Sequence, residues 1–226
     1  MPRDATPTRA LLLQEAERLF ARRGLYQVTT REIVEAAGQR NVSALNYHFG
    51  SREGVLDAIL ERHSEVIDAA RGEMLAKVGR DAPSRDLVAA LVVPYLANLA
   101  HTSGRNYLRI VSQLSARFST WRDADSRGTG PWLIEILDML EQRAADVAPA
   151  VRRERVVELI MLMTIAASER ARAIESRRPL ELDDETFAAN LTDVLVGVLE
   201  APLLGPLPTA NAADSRSAPE VVGPRA

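Results

Sequence analysis

Between residues 36 and 52 the chain carries Arg40, Asn41, Ser43, Asn46, Tyr47, His48 and Arg52, and not one acidic side chain. These groups donate and accept hydrogen bonds and bring positive charge, with no paired carboxylate or activated nucleophile among them. Such a set suits recognition of an anionic, hydrogen-bonding partner. An arginine can grip a phosphate or span the two acceptors of guanine, and an asparagine can do the same for adenine. Bond-breaking chemistry is poorly supplied elsewhere. The three histidines, His48, His63 and His101, stand at no spacing with carboxylates that makes a metal site. There is no cysteine, which excludes disulfides and thiolate ligands. Nucleophile elbows, phosphate loops and dinucleotide fingerprints are absent. Asp183-Asp184-Glu185 reads as the acidic first turn of a helix. The chain is expected not to be an enzyme, and to use no cofactor and no metal.

The elements that must hold these residues are helices, since apolar side chains recur three and four apart almost throughout and strand alternation is scarce. A first helix starts near Thr6-Pro7, buries Leu12, Ala16, Leu19 and Phe20, and ends at Arg22-Arg23-Gly24. Thr29-Thr30-Arg31-Glu32 reads as a capping box. The short helix it opens passes Ile33 and Val34 and stops at Gly38. Gln39-Arg40 turn the chain into Asn41, a good N-cap, and a second short helix follows with Val42, Leu45 and Phe49 in step. Gly50 breaks it and Ser51 caps the next. Two short helices across a glycine-bearing turn, behind a longer supporting helix, make a helix-turn-helix.

On that plan Asn41 to His48 lie on the helix that enters the major groove. Arg40, Asn41, Val42, Ser43, Ala44 and Asn46 are the candidates for base edges, with Asn41 also a cap. Thr30 and Arg31 open a helix whose amides can face a phosphate. Tyr47, His48 and Arg52 are candidates for phosphates, which fix register without reading sequence. The ordinary alternatives are a core aromatic for Tyr47, a surface histidine for His48 and a solvated charge for Arg52. Leu45 and Phe49 should join Phe20 and Ile33 in a small core.

Residues 29–53, TTREIVEAAGQRNVSALNYHFGSRE, resemble the DNA-binding domain of the TetR family of one-component transcriptional regulators. The Thr-Thr-Arg-Glu-Ile start, the Ala-Ala-Gly turn and Tyr47-His48-Phe49 before Ser51-Arg52-Glu53 carry the likeness. Leu19 to Gly24 look like the end of that family's first helix. Three features depart from the pattern: the turn is one residue longer, Ser43 replaces a frequent glycine, and Asn46 replaces a frequent tyrosine. The resemblance implies an all-α protein: an N-terminal helix-turn-helix domain over 1–50, a larger helical effector-binding and dimerisation domain over 51–204, and a tail over 205–226. It implies a homodimer built on the last two helices of each subunit. It also implies repression at a palindromic, double-stranded operator, with release by a small-molecule effector.

Beyond Ser51, helices are expected to about Lys77 (through Val55, Leu56, Ile59, Leu60, Val66 and Ile67), over 84–101 with a kink at Pro94, and over 105–118 and 131–146. Two more are expected over 150–176 and 184–200. An effector pocket is expected among the central helices. Tyr95, Tyr107, Phe118, Trp121, Trp132, Met139 and Met163 are its candidate walls, and Asn98, His101 and Gln113 its candidate polar anchors. Such walls favour a hydrophobic or amphipathic molecule. The tail is rich in Pro, Ala, Ser and Gly, the composition of a disordered segment. A hydrophobic fraction of 46% with 26% charged residues fits a globular protein, and the net charge of −3 leaves DNA contact to a local patch. No run reaches the length of a membrane span and the N-terminus lacks a secretory signal, so a cytoplasmic protein is expected. The competing reading is a helical dimer that binds a ligand or a protein without specific DNA binding.

Overall fold

A computed structural model describes residues 5–114, 129–143, 147–203 and 205, with side chains from Pro7 onward. The described residues form nine α-helices: α1 Ala5–Arg23, α2 Thr30–Ala36, α3 Ser43–Phe49, α4 Arg52–Val78, α5 Ser84–Leu96, α6 Thr102–Leu114, α7 Pro131–Arg143, α8 Pro149–Glu175 and α9 Asp184–Glu200. The fold is all-α, an N-terminal helix-turn-helix unit followed by a larger helical body. Phe118, Trp121 and nearly all of the expected tail lie outside the described residues.

Short-range chemistry sets the N-terminal unit. Leu12, Ala16, Leu19 and Phe20 are fully or nearly fully buried on one face of α1. Gly24, at φ +101°, ends that helix and donates its amide to Phe20 O at 3.1 Å. The helix starts at Ala5, so Thr6 lies inside it and not at its cap. Before α2, Thr29 Oγ1 accepts from the Glu32 amide while the Glu32 carboxylate accepts from the Thr29 amide at 2.8 Å, a closed capping box. Ile33, Leu45 and Phe20 meet beneath α2 and α3, with Phe49 packed against their edge. Ser51 Oγ caps α4 by accepting from the Gly54 amide at 3.1 Å.

Helix α4 begins beneath α3 and runs on into the larger body, where α5, α6 and α7 pack against it. Leu56, Ile59, Leu60 and Ile67 lie in or against the core as expected, whereas Val66 is 72% exposed. The inward stripe of α4 runs through Val55, Ile59, Ile67, Arg71 and Leu75, and Val66 falls outside it. Pro94 does more than kink its helix. It has no N–H to return to the preceding turn, and α5 stops at Leu96, giving way to a 3₁₀ turn over Ala97–Ala100. Helix α6 therefore starts at Thr102, three residues earlier than the spacing suggests. Pro149 opens α8 at its first turn.

Helices α8 and α9 lie side by side and are tied at both ends by buried arginines. Arg155 donates to Leu199 O at 2.8 Å and to Ala201 O at 2.6 Å, placing a cation on the C-terminal carbonyls of α9. Arg170 donates to Leu182 O and to Asp184 at the other end, with its guanidinium over the Phe187 ring. No described helix is long and apolar enough to cross a membrane.

Candidate nucleic-acid interface

Helices α2 and α3 are joined by a turn that passes through Gly38 at φ +68°, a left-handed position that suits glycine. The turn delivers Arg40, Asn41, Val42 and Ser43 to the surface, and α3 adds Asn46 and Tyr47 on the same outward side. Asn41, expected as the N-cap, stands one residue before it: the N-cap position is Val42, which makes no side-chain cap bond. Asn41 Oδ1 accepts from the Ser43 amide at 2.9 Å and the Asn41 carbonyl accepts from the Ala44 amide at 3.1 Å. Regular helix geometry then begins at Ser43. Leu45 is the inward anchor, fully buried, while Ala44 and His48 are half-buried at the flanks. Tyr47 is 81% exposed, which rules out the core-aromatic reading, and meets the His48 ring edge-on at 5.1 Å. An α-helix with its side chains is about 10–12 Å across, which the roughly 12 Å width of a major groove admits.

The flanking candidates are placed differently. Thr30 is half-buried at the start of α2, and Arg31 is exposed and donates to Glu35 one turn on at 2.7 Å. Arg52 is a brace. Its Nε donates to Val28 O at 2.8 Å and its guanidinium lies over the Phe20 ring at 5.0 Å, so the start of α4 is pinned to the loop before α2. Gly54 makes a second close contact there, because a Cβ on it would stand 1.9 Å from Phe49 O. Sequence reading missed Arg9, which is exposed on α1 with its guanidinium 4.9 Å from the Phe49 ring, beside the end of α3. The capping box also fixes a charge: Glu32 is held down to about 2 by the Thr29 amide, then the Thr29 hydroxyl, then Arg23.

Residues 12–59 match the family model for bacterial regulatory proteins of the tetR family, which spans α1, α2, α3 and the first turns of α4. The N-terminal helix-turn-helix unit is therefore that of the bacterial regulatory proteins of the tetR family. No curated protein matches its sequence. Among solved structures it is similar to NalD of Pseudomonas aeruginosa, the secondary repressor of the MexAB-OprM multidrug efflux pump, at 21% identity. That likeness covers 85% of this chain and 95% of NalD, with a TM-score of 0.54. It is similar to Salmonella enterica GusR at 22% identity, over 88% of this chain and 98% of GusR, with a TM-score of 0.50. A Rhodococcus sp. protein assigned to the TetR-family transcriptional regulators gives 21% identity over 85% and 98%, with a TM-score of 0.54. At these identities the likeness is one of fold.

The candidate effector residues do not form one group. Tyr95 from α5 and Tyr107 from α6 are buried together, with ring centroids 6.3 Å apart. Met163 is buried on α8, and Met139 is half-buried against the core. Trp132 is 38% exposed and lies against Gly72 of α4. His101 is exposed, and Asn98 donates to Tyr95 O within its own turn. Gln113 serves the architecture instead. Its Oε1 accepts from the Leu25 amide at 2.8 Å and its Nε2 donates to Phe20 O at 3.2 Å, which locks α6 to the end of α1.

A second joint lies nearby. Glu17 of α1 is buried, and its carboxylate pairs with Arg62 and lies 3.1 Å from His63 Nε2, both residues of α4. His63 stacks on Tyr107 at 4.6 Å. Neither joint has a local signal in the sequence, since the partners stand 45 to 93 residues apart.

Proposed function

We propose that the protein is a dimeric operator-binding transcriptional regulator, a repressor released from a palindromic site by a small hydrophobic or amphipathic effector. Residues 1–50 read DNA, and residues 51–204 bind the effector and form the dimer. The observation that carries this reading is the exposed, acid-free row of Arg40, Asn41, Ser43, Asn46 and Tyr47, held outward by buried Leu45. Asn46 and Arg40 supply the bidentate groups that distinguish adenine and guanine, Val42 can meet a thymine methyl, and Tyr47 with Arg31 and Thr30 hold phosphates. NalD, of similar fold, is itself a repressor.

Dimerisation is supported by an unmatched apolar face. Met161, Leu162 and Ile165 on α8 and Val194 on α9 are large hydrophobic side chains left exposed on the two adjacent helices. A second copy of the same face would bury them and set two recognition helices at a fixed separation, as a palindrome requires. Release then follows from population shift: an effector that prefers a subunit arrangement with wrongly spaced recognition helices lowers operator affinity by its differential binding energy. Helix α4 and the joints at Gln113 and Glu17 connect the effector region to the DNA-reading unit.

The test is the double variant Arg40→Ala with Asn46→Ala. It should keep the helical content and oligomeric state of the wild type. Its affinity should fall at least a hundredfold for whichever duplex the wild type enriches from a random library, a loss of about 1–3 kcal/mol per base contact. Undiminished affinity would move sequence reading off α3 and sink this assignment.

A further inference from the structure

Arg71 lies in the last third of α4 and is only 5% exposed, in the region where α5, α6 and α7 pack on that helix. Its Nε is buried and has no hydrogen-bond partner. The carboxylate nearest along the helix, Asp68, is already committed. Its Oδ2 accepts from the Trp132 amide at 3.1 Å and its Oδ1 from the Leu133 amide at 2.8 Å, both in the first turn of α7. That aspartate answers a helix N-terminus; it also attracts Arg71 through space, but leaves the buried Nε without a hydrogen-bond partner. The buried phenols of Tyr95 and Tyr107 lie near enough to act on Arg71 electrostatically, and Tyr95 Oη is likewise buried without a partner. Burial pushes Tyr107 up to about 12 and Tyr95 well above its ordinary value, so at neutral pH both are hydroxyl donors and not counter-ions. Ile67, Leu91, Ile110 and Leu137 of these helices are buried and apolar, and α6 adds one buried amide, Asn106.

A lone buried guanidinium is a costly thing for a core to hold, and a well-packed apolar residue in its place is often neutral or stabilising. We propose that Arg71, with the Tyr95 hydroxyl beside it, is the receptor for the anionic head of the effector, and that the effector is a monoanionic amphiphile: one carboxylate on an apolar body. A planar guanidinium fork fits a carboxylate bidentately. One cation compensates one negative charge, whereas a dianionic phosphate would bring a second charge into low dielectric without a partner. The apolar walls take the rest of the molecule. This rests on the effector reading above, and it gives that reading a route: the Tyr107 ring lies between Tyr95 and His63, and His63 meets Glu17 of α1.

The experiment is calorimetric titration of the full chain with straight-chain carboxylates from octanoate to hexadecanoate, each beside its methyl ester, without DNA. The wild type should bind at least one carboxylate about tenfold or more tighter than its ester. Arg71→Met should erase that preference while melting no lower than the wild type, since it removes a buried charge whose Nε has no hydrogen-bond partner. Tyr95→Phe should reduce the preference several-fold. The acid–ester comparison in the wild type needs no variant, so a misfolded Arg71→Met would not remove the test. Equal binding of acid and ester, or no binding of any carboxylate in the series, overturns the proposal. Arg71-dependent binding that leaves operator affinity unchanged upholds the anion site and defeats the effector reading instead.

Discussion

Glu32 shows how much one side chain can fix. Its carboxylate closes the capping box on Thr29 and pairs with Arg23 at the end of α1 at 2.8 Å, so it ties α2 to both its own start and its neighbour. Its folded value of about 2 lies below the ordinary 4.5, so the contribution is complete above about pH 4.5 and is lost as pH falls toward 2. Thermal melting of wild type and Glu32→Gln at pH 6 and pH 3 checks this. The wild type should melt higher at pH 6, and the gap should narrow at pH 3; a gap that stays constant would mean the carboxylate's charge plays no part. This residue is legible in the sequence because a capping box is complete within four positions. Arg52 is not. Its neighbours in the chain fit a phosphate contact or a solvated charge equally well, and its actual partners, Val28 O and the Phe20 ring, come together only when α4 folds back under the unit.

At the scale of elements, close approach and long-range hydrogen bonds decide how the recognition helix is held. Gly54 has no room for a side chain against Phe49 O, so Gly54→Ala should force α3 and α4 apart. A stability loss of about 1–3 kcal/mol is expected by denaturant melting, with operator affinity falling further than the melting alone explains. Gln113→Leu tests the joint between α6 and α1. It leaves the Leu25 amide without its partner and the Phe20 carbonyl with the Gly24 amide alone, and should cost about 1–3 kcal/mol by the same measurement; a neutral result would show that water replaces the glutamine without loss. Helix number and order are legible from apolar spacing, capping residues and prolines. The break after Leu96 is larger than the sequence suggests, because a proline signals a disturbance without saying whether the helix resumes. Gln113 resembles an effector anchor in the sequence because a polar residue on a buried helix face has no local mark of its partner.

Across the whole molecule, the central issue is which apolar side chains close the core and which are left for a second copy. Apolar residues run all along α8 and α9, but periodicity alone does not separate Leu159 and Met163, which are buried, from Leu162 and Ile165, which are exposed. That division needs the direction from which α6 and α9 pack. Ile165→Glu puts a charge on the exposed face without touching the core. It should yield a folded monomer by sedimentation and abolish high-affinity operator binding, because two half-sites can no longer be held at once. A dimer that survives the substitution would place the interface elsewhere.

The central claim, a dimer that reads a palindromic operator through α3, is tested most directly by selecting duplexes from a random library with the purified full chain at near-physiological salt. The expected result is one enriched palindrome with half-sites about one helical turn apart or a multiple of it, bound by two or more chains and lost when Arg40 and Asn46 are both alanine. Folded, dimeric protein that enriches no motif would contradict the claim and leave a helical dimer whose partner is a ligand or another protein.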